Sequence, residues 1–464
     1  MTCIHPSTWI HPYLRPIALS GLISLAVATC GSAGNDDPAA SGADPALGMA
    51  FTGMRLVDGR GGPPVDDGIL WIRNGRVEAA GPAGTVDLPQ GVPTRTLPGR
   101  TIMPGIINGH GHVSGLVAPG DEYNRANLIR QLEIFARYGV TTVVSLGGDG
   151  PEAVQLREEQ EAPGPGRARI WLAGPVIAPW TEEEAREQVA QVAAMGADWV
   201  KIRVDDGLGQ REKMPSNVYA AVAEAAHSHG LPLAAHMVDL EDARGLLRAG
   251  ADLLAHSVRD APVDDALISE LVERGVCLSP TLTREVSTFA YGERPDFFDD
   301  PFFQAGASPE AVSALLEPER QAGFRASEAG RYFQNALPQA MENMMALHRG
   351  GVGIAFGTDA APSLGRFAGY FEHMEMGMMV EAGMTPGEVV HSATGVAAAC
   401  TGLEGVVGTL EPGAWADFLV LGADPLADIR NLRQLEEVWV GGEPLAVPPF
   451  SATPREGGST NGGE

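Results

Sequence analysis

The chain is poor in basic residues: its 464 residues hold 32 Lys and Arg against 59 Asp and Glu, a formal net charge of −27. No Lys/Arg cluster offsets that balance, so a nucleic acid would be repelled and is excluded as a partner. Long apolar runs are scarce as well. Ile17 to Ala28 is too short to span a bilayer as a mature helix, which leaves a lipid anchor as the means of membrane contact. Cysteine is rare, at four residues. Cys277 and Cys400 lie in apolar segments and are expected as buried small hydrophobes; an exported compartment permits a disulfide, but no spacing indicates one. Hydrophobic residues still make up 44% of the chain, enough for a large core.

The N-terminus reads as an export signal. Met1 to Pro16 is polar and carries Arg15, an apolar stretch follows, and Gly31 to Pro45 is small, polar and flexible. The junction Leu25-Ala26-Val27-Ala28-Thr29-Cys30-Gly31-Ser32 resembles a bacterial lipobox with Cys30 as the lipidated residue. The expectation is a signal peptide over 1–29, a tether over 30–48 and a lipoprotein on the periplasmic side. Gly31 in place of aspartate leans towards the outer membrane of a Gram-negative bacterium.

From Pro104 to Gly357 short apolar runs alternate with helical patterns, as parallel β/α units require. Eight candidate strands fall at 101–110, 140–145, 168–173, 198–202, 231–236, 252–256, 276–281 and 352–358. Thr181 and Glu184 form a capping-box pair, while Ser216 and Asp239 are candidate caps for the next two helices. The pattern predicts an α/β fold with a (β/α)8 TIM barrel over 104–403. Residues 284–338 are too long for a plain loop and should carry helices over the mouth. The strand-like flanks 49–103 and 404–448 are each too small to fold alone and should pair into one β-sandwich. A disordered tail is expected over 449–464.

The chemistry is concentrated at strand ends. His110 and His112 close the run Ile106-Ile107-Asn108-Gly109-His110-Gly111-His112, and their i, i+2 spacing on an extended strand points both imidazoles the same way. Lys201 lies in the fourth candidate strand, His236 ends the fifth, His256 ends the sixth, and Asp359 follows the eighth. In a (β/α)8 barrel those ends surround a single mouth. Imidazoles with one carboxylate suit Zn²⁺ or another first-row divalent ion. His227, His229, His348, His373 and His391 sit in helical contexts and read as packing or helix-end residues. Lys201 has two readings on residue chemistry alone. It can capture carbon dioxide as a metal-bridging carbamate, or snorkel to the rim and balance a carboxylate such as Asp205.

Pro104 to His112 resembles the first-strand motif of the amidohydrolase superfamily, and the ordered set His110, His112, Lys201, His236, His256, Asp359 is similar to its binuclear type. The segment 244–252 between His236 and His256, with Ser279-Pro280-Thr281-Leu282, resembles the branch of imidazolonepropionase and the Xaa-Pro and Xaa-Arg dipeptidases. The resemblance covers roughly residues 50–447. It implies two divalent ions, Zn²⁺ by expectation: one on His110, His112 and Asp359, the other on His236 and His256, with carboxylated Lys201 bridging. It further implies a metal-bridging hydroxide that cleaves the amide bond of a small-molecule substrate, a dipeptide or N-acyl amino acid, with Asp359 carrying the proton. A mouth-loop arginine would grip a substrate carboxylate, the candidates being Arg203, Arg259 and Arg284. Three positions depart from that branch: Val238 stands where Tyr is frequent, Ala255 and Ser257 flank His256, and Arg203-Val204-Asp205-Asp206 follows Lys201. The alternatives are a mononuclear hydrolase of a cyclic amide or lactone, and a non-catalytic metal-binding lipoprotein. A homo-oligomer is compatible with the sequence.

Overall fold

A computed structural model describes residues 44–452, so the signal segment, Cys30 and most of the tether lie outside the described residues. The fold is mixed α/β. Its first part supplies β1 (Met49–Leu56), β2 (Val65–Arg73), β3 (Arg76–Pro82), β4 (Thr94–Thr96) and β5 (Thr101–Pro104). The parallel set follows as β6 (Ile106–Gly111), β7 (Val140–Ser145), β8 (Arg169–Leu172), β9 (Val176–Ile177), β10 (Val200–Arg203), β11 (Leu233–His236), β12 (Leu253–Ala255) and β13 (Cys277–Ser279). Between them run α1 (Arg125–Arg137), α2 (Pro151–Glu159), α3 (Glu182–Met195), α4 (Ser216–Ser228), α5 (Leu240–Ala249) and α6 (Asp265–Arg274). The chain ends with β14 (Phe418–Leu421), β15 (Leu435–Val440) and β16 (Glu443–Pro444).

Strands from both ends of the chain pair into one eight-stranded sheet, ordered β16-β15-β14-β5-β1-β2-β3 with β4 beside β1. The parallel strands form β6-β7-β8 and β9-β10-β11-β12-β13. Hydrogen bonds link the two groups at both sides. Asp198 N donates to Leu172 O at 2.8 Å, and the segment around Ile354 to Phe356 bonds to Leu278 on one side and Gly109 on the other.

Several expectations change in detail. The candidate strand 101–110 is two strands in two sheets, broken at Gly105, where a Cβ would lie 2.0 Å from Thr141 Oγ1. Only glycine lets the chain pass from one sheet into the other at that approach. Residues 352–358 form a single bridge, Leu278 to Ile354, rather than a strand. Gly357 presses against His110 there, where a Cβ would meet the His110 backbone N at 2.8 Å, and the chain turns towards Asp359. The Thr181/Glu184 capping box is present. Ser216 is the first residue of α4 with Pro215 at the cap, and Asp239 makes no capping bond because its carboxylate is held by Lys213 at 2.6 Å.

The long stretch after β13 carries α7 (Leu282–Val286) and short helices at Pro301–Gln304, Pro309–Leu315 and Pro318–Ala326. The helix Glu328–Arg349 then runs through Pro338. Pro45–Leu47 is a 3-10 turn capped by Asp44, and Leu47 O accepts from Trp71 Nε1. Phe450 is buried against Tyr138 and under the Arg137 guanidinium at 3.8 Å.

Two interactions tie distant parts of the chain. Arg169 and Asp417 form a buried ion pair at 2.6 Å, and Trp415 is sandwiched between Arg169 and Arg76 at 4.1 and 3.5 Å. Cys277 and Cys400 are joined as a disulfide, which corrects their reading as separate small hydrophobes. A bridge across 123 residues leaves no local spacing to read, because β13 and the helix Ala397–Cys400 meet only through tertiary packing.

Replacing both cysteines by serine should cost about 2–5 kcal/mol in denaturant unfolding, and unchanged stability would contradict the bridge. His373 gives a pH signature. It donates Nε2–H to Tyr138 O at 2.8 Å, and burial pulls its pKa down from 6.5 to about 3. The unfolded chain therefore binds the extra proton between those values, so this stabilisation is full above about pH 6.5 and is lost as pH falls towards 3. His373→Gln should flatten the loss of stability between pH 7 and pH 4; an unaltered slope would refute the assignment.

Candidate active site

The strand-end residues converge. His112 Nε2 lies 2.7 Å from Asp359 Oδ1 and His110 Nε2 lies 3.8 Å from the same oxygen. Lys201 Nζ is 3.3 Å from His110 Nε2. The His256 ring centre sits 4.7 Å from that of His110 and 4.3 Å from that of His236. All six residues predicted for the site are thus brought into one patch where the parallel strands end. Two imidazoles have their outer nitrogens occupied: His112 Nδ1 meets Gly147 O at 2.9 Å, and His256 Nδ1 meets Thr281 Oγ1 at 2.6 Å. Each partner fixes the ring and leaves Nε2 to face the site.

The backbone is strained at the same place. His256, Thr281, Asp359 and Ala361 have φ of +80°, +51°, +54° and +69°. For Thr281, which is β-branched, the left-handed conformation costs about 1–3 kcal/mol. That conformation aims its hydroxyl at His256.

Burial sets the charge states. It lowers the His110 and His256 pKa values well below the ordinary range and His236 to about 3, so all three rings are neutral donors. Burial also lowers the Lys201 amine to about 7, against the pull of Asp359. Asp359 is the reverse case. Burial would raise it, but Arg366 and then His112 hold it well below the usual carboxylate range.

Donor atoms of His110, His112 and Asp359 lie within 4.8 Å of one another, as a shared cation requires. Buried His110 Nδ1 and His236 Nε2 have no hydrogen-bond partner among the described residues. The latter faces Asp205 Oδ1 at 3.3 Å. Neutral imidazoles, one ionised carboxylate and a buried amine near neutrality fit a divalent metal site with a carbamate-forming lysine.

The three candidate arginines part company. Arg203 turns to Asp205, which thereby balances Arg203 rather than Lys201. Arg259 and Arg284 both contact Glu285. Sequence reading missed Arg366, whose Nη1 donates to Asp359 Oδ2 at 2.5 Å and whose Nε bonds Ser287 Oγ. It missed the support beneath His110 as well. Asn108 accepts from the His110 N–H and is itself held by buried Glu372, whose carboxyl burial raises to about 7. One signal was available for Lys201: with Lys213 it is one of only two lysines in the chain.

Arg366→Gln should lower activity or metal affinity about 10–100-fold, as loss of a ligand's outer partner does. Wild-type values for both would show that Arg366 does not hold Asp359.

Residues 101–445 match the amidohydrolase family. A stretch of 225 residues is 28% identical to an uncharacterized protein of Mycobacterium tuberculosis, covering 46% of this chain and 57% of that one. Another of 293 residues is 26% identical to ochratoxinase of Aspergillus niger, covering 60% of this chain and 52% of that one. The chain thus spans about half the length of the curated relatives it matches. Among solved structures, a provisionally assigned prolidase from Bifidobacterium longum superposes with a TM-score of 0.69 at 26% identity, over 87% of this chain and 95% of that one. A Xaa-Pro dipeptidase with bound methionine in its active site shares the fold, with a TM-score of 0.67 at 21% identity over 85% and 99% of the two chains. With buried histidines, lysine and aspartate gathered at its strand ends, the chain belongs to the amidohydrolase family.

Proposed function

We propose that this protein is an exported, metal-dependent hydrolase that cleaves the amide bond of a dipeptide or an N-acyl amino acid. The observation that carries the reading is Lys201, a buried amine near neutrality 3.3 Å from His110 and flanked by the other donors. His110, His112 and Asp359 would hold one divalent ion and His236 with His256 the second, Zn²⁺ being the expected metal. Lys201, its amine neutral there, would take up carbon dioxide with loss of a proton to solvent, and the carbamate would supply an anionic oxygen ligand. When bound, the ions supply a polarised scissile carbonyl and a more acidic water.

The chain's own groups handle the protons. Asp359, kept ionised by Arg366, accepts a proton from the attacking water at a carboxylate oxygen and passes it to the departing nitrogen. His112 and His256, locked through Gly147 and Thr281, keep their Nε2 atoms aimed inward. The names of the prolidase and ochratoxinase neighbours support a peptide or other amide substrate. We further propose that the hydrogen bonds around Asp198 and Ile354 close the parallel strands into a (β/α)8 barrel capped by the sheet from both chain ends. The disulfide supports the export reading, since such bonds persist in oxidising compartments. The compact trio His110, His112 and Asp359 also favours one alternative, a single-ion hydrolase of a cyclic amide or lactone.

Purified protein loaded with Zn²⁺ in bicarbonate decides between these readings. Two ions per chain and cleavage of dipeptides or N-acyl amino acids are expected. Lys201→Ala should lose an ion, and Asp359→Asn should lose about 10²–10⁴-fold in turnover. One ion with activity indifferent to Lys201→Ala would favour the single-ion alternative and refute the carbamate.

A further inference from the structure

The segment Arg203-Val204-Asp205-Asp206 after Lys201 carries a buried carboxylate that neither the metal donors nor the proton-handling groups include. Lys201, Arg203 and Asp205 recur at every second residue along β10 and just beyond it. β10 runs beside β11 with Arg203 level with His236, and Val204 N donates to His236 O at 3.1 Å. The end of β10 is thereby fixed against the residue that ends β11. Asp205 is 5% exposed there, and its Oδ1 lies 3.3 Å from His236 Nε2. That nitrogen is itself buried and has no hydrogen-bond partner among the described residues.

The Asp205 carboxylate has three other donors. Arg203 grips it as a fork, Nε on Oδ1 and Nη2 on Oδ2 at 3.0 Å, and the Gly207 N–H donates to Oδ2 at 3.0 Å. A carboxylate offers about four acceptor positions, so one remains, on Oδ1, and His236 faces it. No lone pair is left over for a metal ion, and Asp205 does not extend the ligand set. An ionised carboxylate can only accept, while a neutral imidazole carries a single N–H. A hydrogen shared by this pair therefore belongs to His236 Nε2, and the ring's lone pair falls on Nδ1. His112 and His256 are the opposite case: Gly147 O and Thr281 Oγ1 engage their Nδ1 atoms and leave Nε2 to face the site.

We propose that Asp205, braced by Arg203, is a positioning residue: it takes the Nε2–H of His236 and so presents Nδ1 as the metal donor. This rests on the two-ion reading above and deepens it. The second ion would be held through Nδ1 of His236 and Nε2 of His256, one ring fixed by a carboxylate and the other by a hydroxyl. A carboxylate behind a ligating imidazole sets its tautomer and raises its basicity, which tightens the hold on a cation. The first ion needs no such help, since His110, His112 and Asp359 already bring their donor atoms within 4.8 Å of one another. Loss of Asp205 should therefore weaken one ion and spare the other.

Two measurements test it: NMR of the metal-free protein carrying heavy-nitrogen histidine, and Zn²⁺ titration in bicarbonate against a competing chelator. By NMR the His236 ring, identified by its loss in His236→Gln, should carry its proton on Nε2 and none on Nδ1. That pattern should persist in Asp205→Asn, which keeps an acceptor, and give way to mixed tautomers in Asp205→Ala. In the titration Asp205→Ala should weaken one of two Zn²⁺ ions about 10–100-fold and leave the other unchanged. Asp205→Asn should lose less. Because Asp205 acts through His236, the double variant Asp205→Ala/His236→Gln should bind no more weakly than His236→Gln alone. A proton on Nδ1 in the wild type, wild-type affinities in Asp205→Ala, or equal weakening of both ions would overturn the proposal. So would a further loss in the double variant, which would make Asp205 a ligand in its own right. The wild-type tautomer carries the test should the alanine variant not fold. One Zn²⁺ per chain that still depends on Asp205, with the Nε2 proton present, sinks the two-ion reading and keeps the positioning role; two ions with the proton on Nδ1 do the opposite.

Discussion

An amine buried 3.3 Å from an imidazole, in a patch with three more imidazoles and a carboxylate, is the constraint around which this site is organised. Burying Lys201 as a lone cation would be expensive, and the protein answers by lowering its pKa to about 7. The same burial strips the proton from His110, His236 and His256. One physical cause thus leaves the Lys201 amine and these three imidazoles in the state a cation needs. The short parallel strands make this possible, because their apolar runs stop within a residue or two of the donors.

Arginines set the remaining balance. Arg366 keeps Asp359 ionised, and the contacts with His236 and then Arg203 keep Asp205 ionised against the opposing effect of burial. Arg259 and Arg284 share one glutamate and leave a positive surplus near the outer imidazoles.

The donors were legible in the sequence because their signal is local: an apolar run that ends in His, repeated along the chain with helical spacers between. Period two in His110 and His112 gave direction as well as place. What escaped the sequence is what depends on sequence-distant packing. The break at Gly105 shows only when Thr141 is seen beside it. Cys277 and Cys400 pair across 123 residues, and Arg366 reaches Asp359 through a loop whose path no periodicity records. Ser216 and Asp239 were placed within a residue of their helix starts, yet neither caps, since Pro215 already sets the entry to α4 and Lys213 competes for Asp239.

The most direct measurement is diffraction from crystals grown with Zn²⁺ and bicarbonate, with anomalous data at the zinc edge. The account predicts two metal peaks, one among His110, His112 and Asp359 and one beside His236 and His256. Density should extend from Lys201 Nζ as a carbamate between them. A single peak with an unmodified Lys201 amine would contradict it.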